Sequence, residues 1–286
     1  MRLMSGNFMK RLIWQVILLW VLTTFLSGCG HSPSPAPQRI EEEIPLASVT
    51  SMEVELRQGT LKILGSPGET LKYVSTMPSP PTMSYSPDQT HLNLTLPDST
   101  PDQITRLSVP DDLHLLVEAF SAQIQIMNFN GSLEANTAAG DISYQNGSGE
   151  VLLRSGRGNI HVSGGEGKLM ILGEHGAIDV NNFLGPTSLS TIMGEIRYQA
   201  PRISSGPVKL ETDHGPVDVT VPIPSNYRFK AATTSGILQC VGPHLQRTLS
   251  GCEGKTGQGE YPFRIRTVSG RVYLREMIPN KDEGHE

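Results

Sequence analysis

Apolar and polar residues alternate through the middle of this chain in short bursts, and the bursts begin at a fixed interval. Gly131, Gly140, Gly149, Gly158, Gly167, Gly176, Gly185 and Gly194 stand nine residues apart and open the phrase Gly-x-apolar-x-apolar, as in Gly158-Asn-Ile-His-Val. A period of two is the mark of a half-buried strand, and a fixed longer period is that of stacked, repeated units. Positions eighteen apart decide how the units stack. One series reads Ile142, Ile160, Ile178 and Ile196, then, as the units stretch, Val217 and Leu238, with Tyr144, Val162, Val180, Tyr198, Val219 and Cys240 beside it. The other reads Leu133, Val151, Leu169, Thr187 and Val208, with Ala135, Leu153, Ile171, Leu189 and Leu210. Like residues in every second unit predict two-strand coils stacked in parallel, not an antiparallel meander. Thr137, Ser155, Gly173, Thr191 and Thr212 recur where a tight corner takes small or hydroxyl side chains. The alternation puts Ile160, Ile178 and Ile196 inside and His161, Asp179 and Arg197 outside.

The predicted fold class is all-β: a single-stranded β-solenoid, parallel β-helix-like, of about 18-residue coils capped by irregular β segments at both ends. Some seven coils at ~4.8 Å each would make a rod of about 34 Å. The domain is expected over residues 47–278, with regular repeats from about 113 to 222 and a polar tail at 279–286. Val49 to Leu64 and His91-Leu-Asn-Leu-Thr-Leu alternate as strands and are expected to cover the first end of the stack. The proline-rich stretch from Met77 to Pro87 cannot join a central strand. Residues 29–46, rich in proline, serine and charge, read as an extended tether.

Residues 1–28 have the parts of a secretory signal. Arg2, Lys10 and Arg11 come first without any acid, an apolar run from Leu12 follows, and small residues precede a break. Leu26-Ser27-Gly28-Cys29 resembles the bacterial lipobox. That resemblance implies cleavage before Cys29, acylation of its sulfur and a membrane contact through the lipid. It therefore also implies a cell-envelope location. In an organism with two membranes, Gly30 resembles the outer-membrane sorting pattern.

A second resemblance covers residues 49–278. Val109-Pro-Asp-Asp-Leu-His-Leu-Leu-Val leads into the glycine units. Val221-Pro-Ile-Pro-Ser-Asn-Tyr-Arg-Phe-Lys-Ala-Ala-Thr-Thr-Ser-Gly and Thr267-Val-Ser-Gly-Arg-Val close them. Together they resemble the bacterial candidate-adhesin β-solenoid family, a domain of unknown function. The resemblance implies the solenoid fold and an adhesin-like or scaffolding surface able to bind a protein, a glycan or a second copy.

Charge narrows the partners. The chain carries 23 basic and 28 acidic residues; without residues 1–28 it holds 20 and 28, a net of −8. That balance argues against nucleic acid and against a polybasic contact with anionic lipid. Cys240 and Cys252 are a disulfide candidate in an oxidising compartment. Neither has a cysteine or histidine neighbour at ligand spacing, so no metal is expected, and nothing calls for a cofactor. The calcium β-roll frame occurs once, at Gly164-Gly-Glu-Gly-Lys-Leu, but Leu169 stands where the aspartate must be.

Two chemical constellations are weighed against a solvated sheet face. Ser143, His161 and Asp179 fall on successive outward positions, suggesting nucleophile, base and orienter, but a flat sheet offers no enclosed site. Asp141, Asp179 and Glu195 could serve a polysaccharide-cleaving enzyme, the main alternative to a binding role. A purely structural or stress-related envelope component is the third. The expectation is no catalysis. Leu152, Met170 and Leu172 differ in kind, because three large apolar side chains point outward together. Their face is expected to be covered, by the chain's own N-terminal segment or by a partner.

The lipobox reading has a direct check. Cys29→Ser should release the protein from the membrane fraction or leave its signal uncleaved, as read by fractionation and mass spectrometry; a mature acylated variant would overturn it.

Overall fold

The computed structural model describes residues 39–277 except 77–78, 99, 101–102 and 250. Residues 1–28, read above as a signal, Cys29 and the tail 279–286 lie outside the described residues. No helix occurs among the described residues.

The N-terminal strands are β1 (Ile40–Pro45), β2 (Ser51–Ser66), β3 (Thr70–Ser75), β4 (Thr82–Tyr85), β5 (His91–Thr95) and β6 (Ile104–Pro110). After β7 (His114–Met127), longer and shorter strands alternate. They are β8 (Ser132–Ala139), β9 (Ile142–Gln145), β10 (Ser148–Arg157), β11 (Ile160–Ser163), β12 (Glu166–His175) and β13 (Ile178–Asn181). β14 (Thr187–Met193), β15 (Ile196–Gln199), β16 (Val208–His214) and β17 (Val217–Pro222) continue the series. The C-terminal part holds β18 (Tyr227–Thr233), β19 (Leu238–Val241), β20 (Leu245–Arg247), β21 (Cys252–Lys255), β22 (Tyr261–Ser269) and β23 (Val272–Met277).

Long strands stack in parallel on long ones and short on short, eighteen residues apart through the middle. Leu133, Val151, Leu169 and Thr187 line up on the Leu-rich sheet, and Ile142, Ile160, Ile178 and Ile196 on the Ile-rich one. Both columns point inward and are buried. Full burial of one such side chain is worth about 1.5–3 kcal/mol, so the two columns supply much of the stabilisation. Outside, Arg197 is exposed but His161 and Asp179 are half-buried, because neighbours on a flat sheet shade one another.

The nine-residue spacing resolves into two glycine columns, one at each of two corners. Gly149, Gly167 and Gly185 occupy one; Gly140, Gly158 and Gly176 the other. At Gly167, φ is +117° and a Cβ would overlap the carbonyl of Gly149 on the rung before. Glycine is therefore required twice over, by its backbone conformation and by the close approach. At a third corner, Asn128, Asn146 and Asn182 take the left-handed conformation that asparagine tolerates. Side chains also bind rung to rung: Asp141 accepts from the amide of Asn159 at 2.7 Å, and Asn159 from that of Ala177 at 2.9 Å.

Both ends depart from sequence order. At the C-terminal end, Val217 is followed along the axis by Val272 and then by Leu238. The last coil, β22–β23, thus inserts between the β16–β17 and β18–β19 coils, where the repeat series had put Leu238 next to Val217. At the other end, β2 lies between β7 on one side and β5 with β6 on the other. The inserted and added rungs make the stack longer than the expected seven coils. The tether expected over 29–46 is also shorter, because Ile40–Pro45 pairs with β3 and Lys72 bonds Glu43 at 2.7 Å. Antiparallel additions finish the ends: β4 on β5, β3 on β6 with β1 on β3, and the β20–β21 hairpin on β18.

Two outcomes follow. Gly167→Ala should cost about 1–3 kcal/mol through backbone strain alone. Gly173→Ala, whose Cβ would meet nothing nearer than 3.3 Å, should stay within about 1 kcal/mol in urea unfolding. The second concerns buried tyrosines. Burial raises the pKa of Tyr144 and Tyr198 far above the usual phenol range, and that of Tyr73 and Tyr227 in the same direction. The folded state keeps these phenols neutral when the unfolded chain ionises. Stability should therefore hold below pH ~10 and fall above it, by up to ~1.4 kcal/mol per pH unit for each tyrosine. The Tyr144 hydroxyl is buried without a hydrogen-bond partner among the described residues. Tyr144→Phe should be near neutral at pH 7 and flatten the alkaline loss, as measured by urea midpoints at pH 7, 9 and 10.5.

Candidate binding face

The outer face of the Leu-rich sheet is set by the same alternation that fills the core. Residues between inward pairs project outward, and the register aligns them in rows along the axis. One row runs Glu134, Leu152, Met170, Ser188, Lys209, Arg264, Lys230; its neighbour runs Asn136, Arg154, Leu172, Ser190, Glu211, Arg266, Ala232. The face therefore changes along the axis from ion-paired, to apolar, to serine, to cationic.

The apolar zone holds Leu152 and Met170 on adjacent rungs and Leu172 two positions along from Met170. Met170 is 38% exposed, while Leu152 and Leu172 are half-buried against their neighbours. Ion pairs border the patch: Arg154 meets Glu134, and Lys168 meets Glu150 at 2.5 Å. Asn136 donates to Glu134 and, with Arg154, holds its carboxyl below the usual range. β1–β6 pair with one another and with β7, and none pairs with β10 or β12.

A corner groove of about 860 Å³ adjoins this face. Phe120, 70% exposed, stands at one end beside Ala138 and Gly156, whose small side chains leave a notch. Sequence alternation missed it, because the pattern breaks at Ala119-Phe120-Ser121, where β7 runs unbroken past the corner.

The chemical constellations resolve into structure-building contacts. Ser143, His161 and Asp179 are on successive rungs, and His161 Nδ1 lies 3.6 Å from Asp179. Of the three acids considered for glycan chemistry, Asp141 is spent on the Asn159 amide. Glu195 grips Arg197 through both oxygens at 2.9 and 2.6 Å, and Asp179 accepts from Asn181 at 3.0 Å. A different set does hydrogen-bond: Ser51 Oγ lies 2.8 Å from His91 Nδ1, and His91 Nε2 lies 3.6 Å from Glu53. The residues come from β2 and β5, forty positions apart, so only the N-terminal rung order brings them together. β2 is hydrogen-bonded in parallel ladders on both sides here. Its amides are therefore committed to the sheet, and none is left to form an oxyanion site.

Cys240 on β19 and Cys252 on β21 have Cα atoms 6.5 Å apart with their sulfurs in contact. This separation is within disulfide reach. Cys29 lies outside the described residues.

The family described as Toastrack DUF4097 matches residues 41–275. The chain belongs to this family. Among solved structures, it is similar to a candidate adhesin from Bacteroides fragilis at 9% identity, covering 85% of this chain and 99% of that one, with a TM-score of 0.44. It is also similar to a candidate adhesin from Parabacteroides distasonis at 11% identity (84% and 97% covered, TM-score 0.36). A candidate cell adhesion protein from Clostridium sporogenes shares 12% identity (84% and 100%, TM-score 0.29). No curated protein matches the sequence.

Proposed function

We propose that this Toastrack DUF4097 protein is a non-enzymatic, lipid-anchored component of the bacterial cell envelope, acting as an adhesin-like or scaffolding surface. The reading rests on one observation. Leu152, Met170 and Leu172 lie together on an outer sheet face, Met170 exposed and the two leucines half-buried. Apolar area left in water costs about 25 cal/mol per Å², which favours a contact by a protein or glycan partner or a second copy. The lipobox at Cys29 supports envelope location and a membrane contact through the acyl chains, with the outer membrane the destination in a two-membrane organism. The alternative of a polysaccharide-active enzyme is disfavoured, because Asp141, Asp179 and Glu195 are each engaged in contacts that build the stack. An oxidised Cys240–Cys252 pair fits the same compartment and would tie edge strand β19 to the hairpin beside it.

Met170→Glu tests the face. Folding stability should stay within about 0.5 kcal/mol of the parent, as for an ordinary surface change. Association should weaken, whether read as self-association by sedimentation or as recovery of a crosslinked partner from envelope fractions. Unchanged association in both assays would overturn the reading.

A further inference from the structure

The charge of this chain is unevenly placed. Between residues 39 and 201 there are nine basic and nineteen acidic residues; between 202 and 277 there are ten and six. The interleaving of the last coil concentrates the second group. Register sets Lys209 on β16 beside Arg264 on β22, and Arg264 beside Lys230 on β18, all three outward and exposed. Arg266 projects from β22 two residues beyond Arg264. Three adjacent rungs thus carry cations in one row.

Several neighbouring outward positions oppose unlike charges: Glu134 with Arg154, Glu150 with Lys168, His161 with Asp179; like charges also meet singly at Lys62 with Arg106 and Glu55 with Glu118. Like charges directly opposite each other weaken a sheet. Here they are kept. Lys209 bonds Glu211 at 2.7 Å; register also sets Glu211 beside Arg266 and Glu253 beside Lys230, but Arg264, Arg266 and Lys230 make no ion pair among the described residues. The row borders an open cleft of about 270 Å³ whose walls add Thr233 and Thr234. Cations in excess over carboxylates, the exposed Thr234 hydroxyl and an open cleft are the elements of a polyanion site.

We propose that the β16, β22 and β18 rungs bind an acidic polysaccharide, with Lys209, Arg264 and Lys230 as successive contacts and Arg266 as a flanking one. The rung spacing favours a glycan over a compact anion. Cations recur every ~4.8 Å along the axis, comparable to the length of one hexopyranose in an extended chain. A polymer lying along the row can therefore meet several of the cations at once, which a compact anion cannot. Arg264 and Arg266 supply planar forks suited to carboxylate, whereas the lysines act as point charges. This site is separate from the Met170 patch, with the Ser188 and Ser190 rung between them.

The test uses the full chain in detergent, with polygalacturonate as probe and neutral dextran as control, in low and moderate salt. Polygalacturonate should bind, dextran should not, and affinity should fall as salt rises. Lys230→Glu with Arg264→Glu should weaken binding at least tenfold. Arg264→Gln alone should weaken it less, giving a graded readout if the double variant folds poorly by circular dichroism. Gln199→Ala, a neutral change at an exposed position on the other sheet, should leave polygalacturonate binding unchanged. Equal binding of the charge-reversed variant, or none by the parent at low salt, would overturn the proposal. So would binding confined to vesicles containing anionic phospholipid, which would make the row a membrane contact instead.

Discussion

Backbone touching backbone at the corners is the constraint from which this structure follows. Each corner glycine lies under the carbonyl of the rung before, at a separation that leaves no room for a Cβ. The contact admits one register only. A slip of one residue would bring a side chain under a carbonyl and turn every inward residue outward. Once register is fixed, position eighteen residues on is also position one rung on. Like residues must then stack: isoleucine on isoleucine, hydroxyl on hydroxyl, asparagine on asparagine. The columns of the core are a consequence of the corners as much as of hydrophobicity.

The same constraint releases the outside. Alternate residues contribute little to the core, so their chemistry can change along the axis without disturbing the ladder. On the Leu-rich sheet it changes from paired charges to leucine and methionine, then to serine, then to a row of cations. On the Ile-rich sheet the outward row of Ser143, His161 and Asp179 stays polar, with His161 beside Asp179. A solenoid of this kind separates fold from recognition. A contact face can be written on it one rung at a time.

This separation explains what could be read in advance. Strand identity, inward residues and the outward placement of Leu152, Met170 and Leu172 all depend on local period, and local period is visible in a sequence. Which rung a unit occupies is not. The step from Val217 to Leu238 reads as one repeat, yet Val272 stands between them. For the same reason the row through Lys209, Arg264 and Lys230 and the contact of Ser51 with His91 were hidden, since each joins residues from interleaved coils. Ile40–Pro45 was hidden for another reason. Its three consecutive glutamates suggested a solvated tether, whereas Glu43 and Lys72 face each other across an antiparallel pair.

Interleaving also changes how the ends are held. In the middle, cross-rung partners such as His114 and Ser132 are 18 residues apart, whereas Ser51 with His91 spans 40 and His214 with Ser269 spans 55. The middle can grow by short loop closures, each adding one coil to the last; the ends must close much longer loops before contacts repay them. What is gained is a terminus that cannot peel away. β18 and β19 have parallel partners only in the last coil, and that coil is flanked on both sides by earlier chain. A stack added in sequence order would leave its last coil held on one face only, as the fraying end of the solenoid. Here the last coil is interior, and the coil outside it is finished by an antiparallel hairpin that breaks the repeat. Removing residues 261–277 would therefore unmoor the whole segment from 227, not merely shorten the stack by one rung.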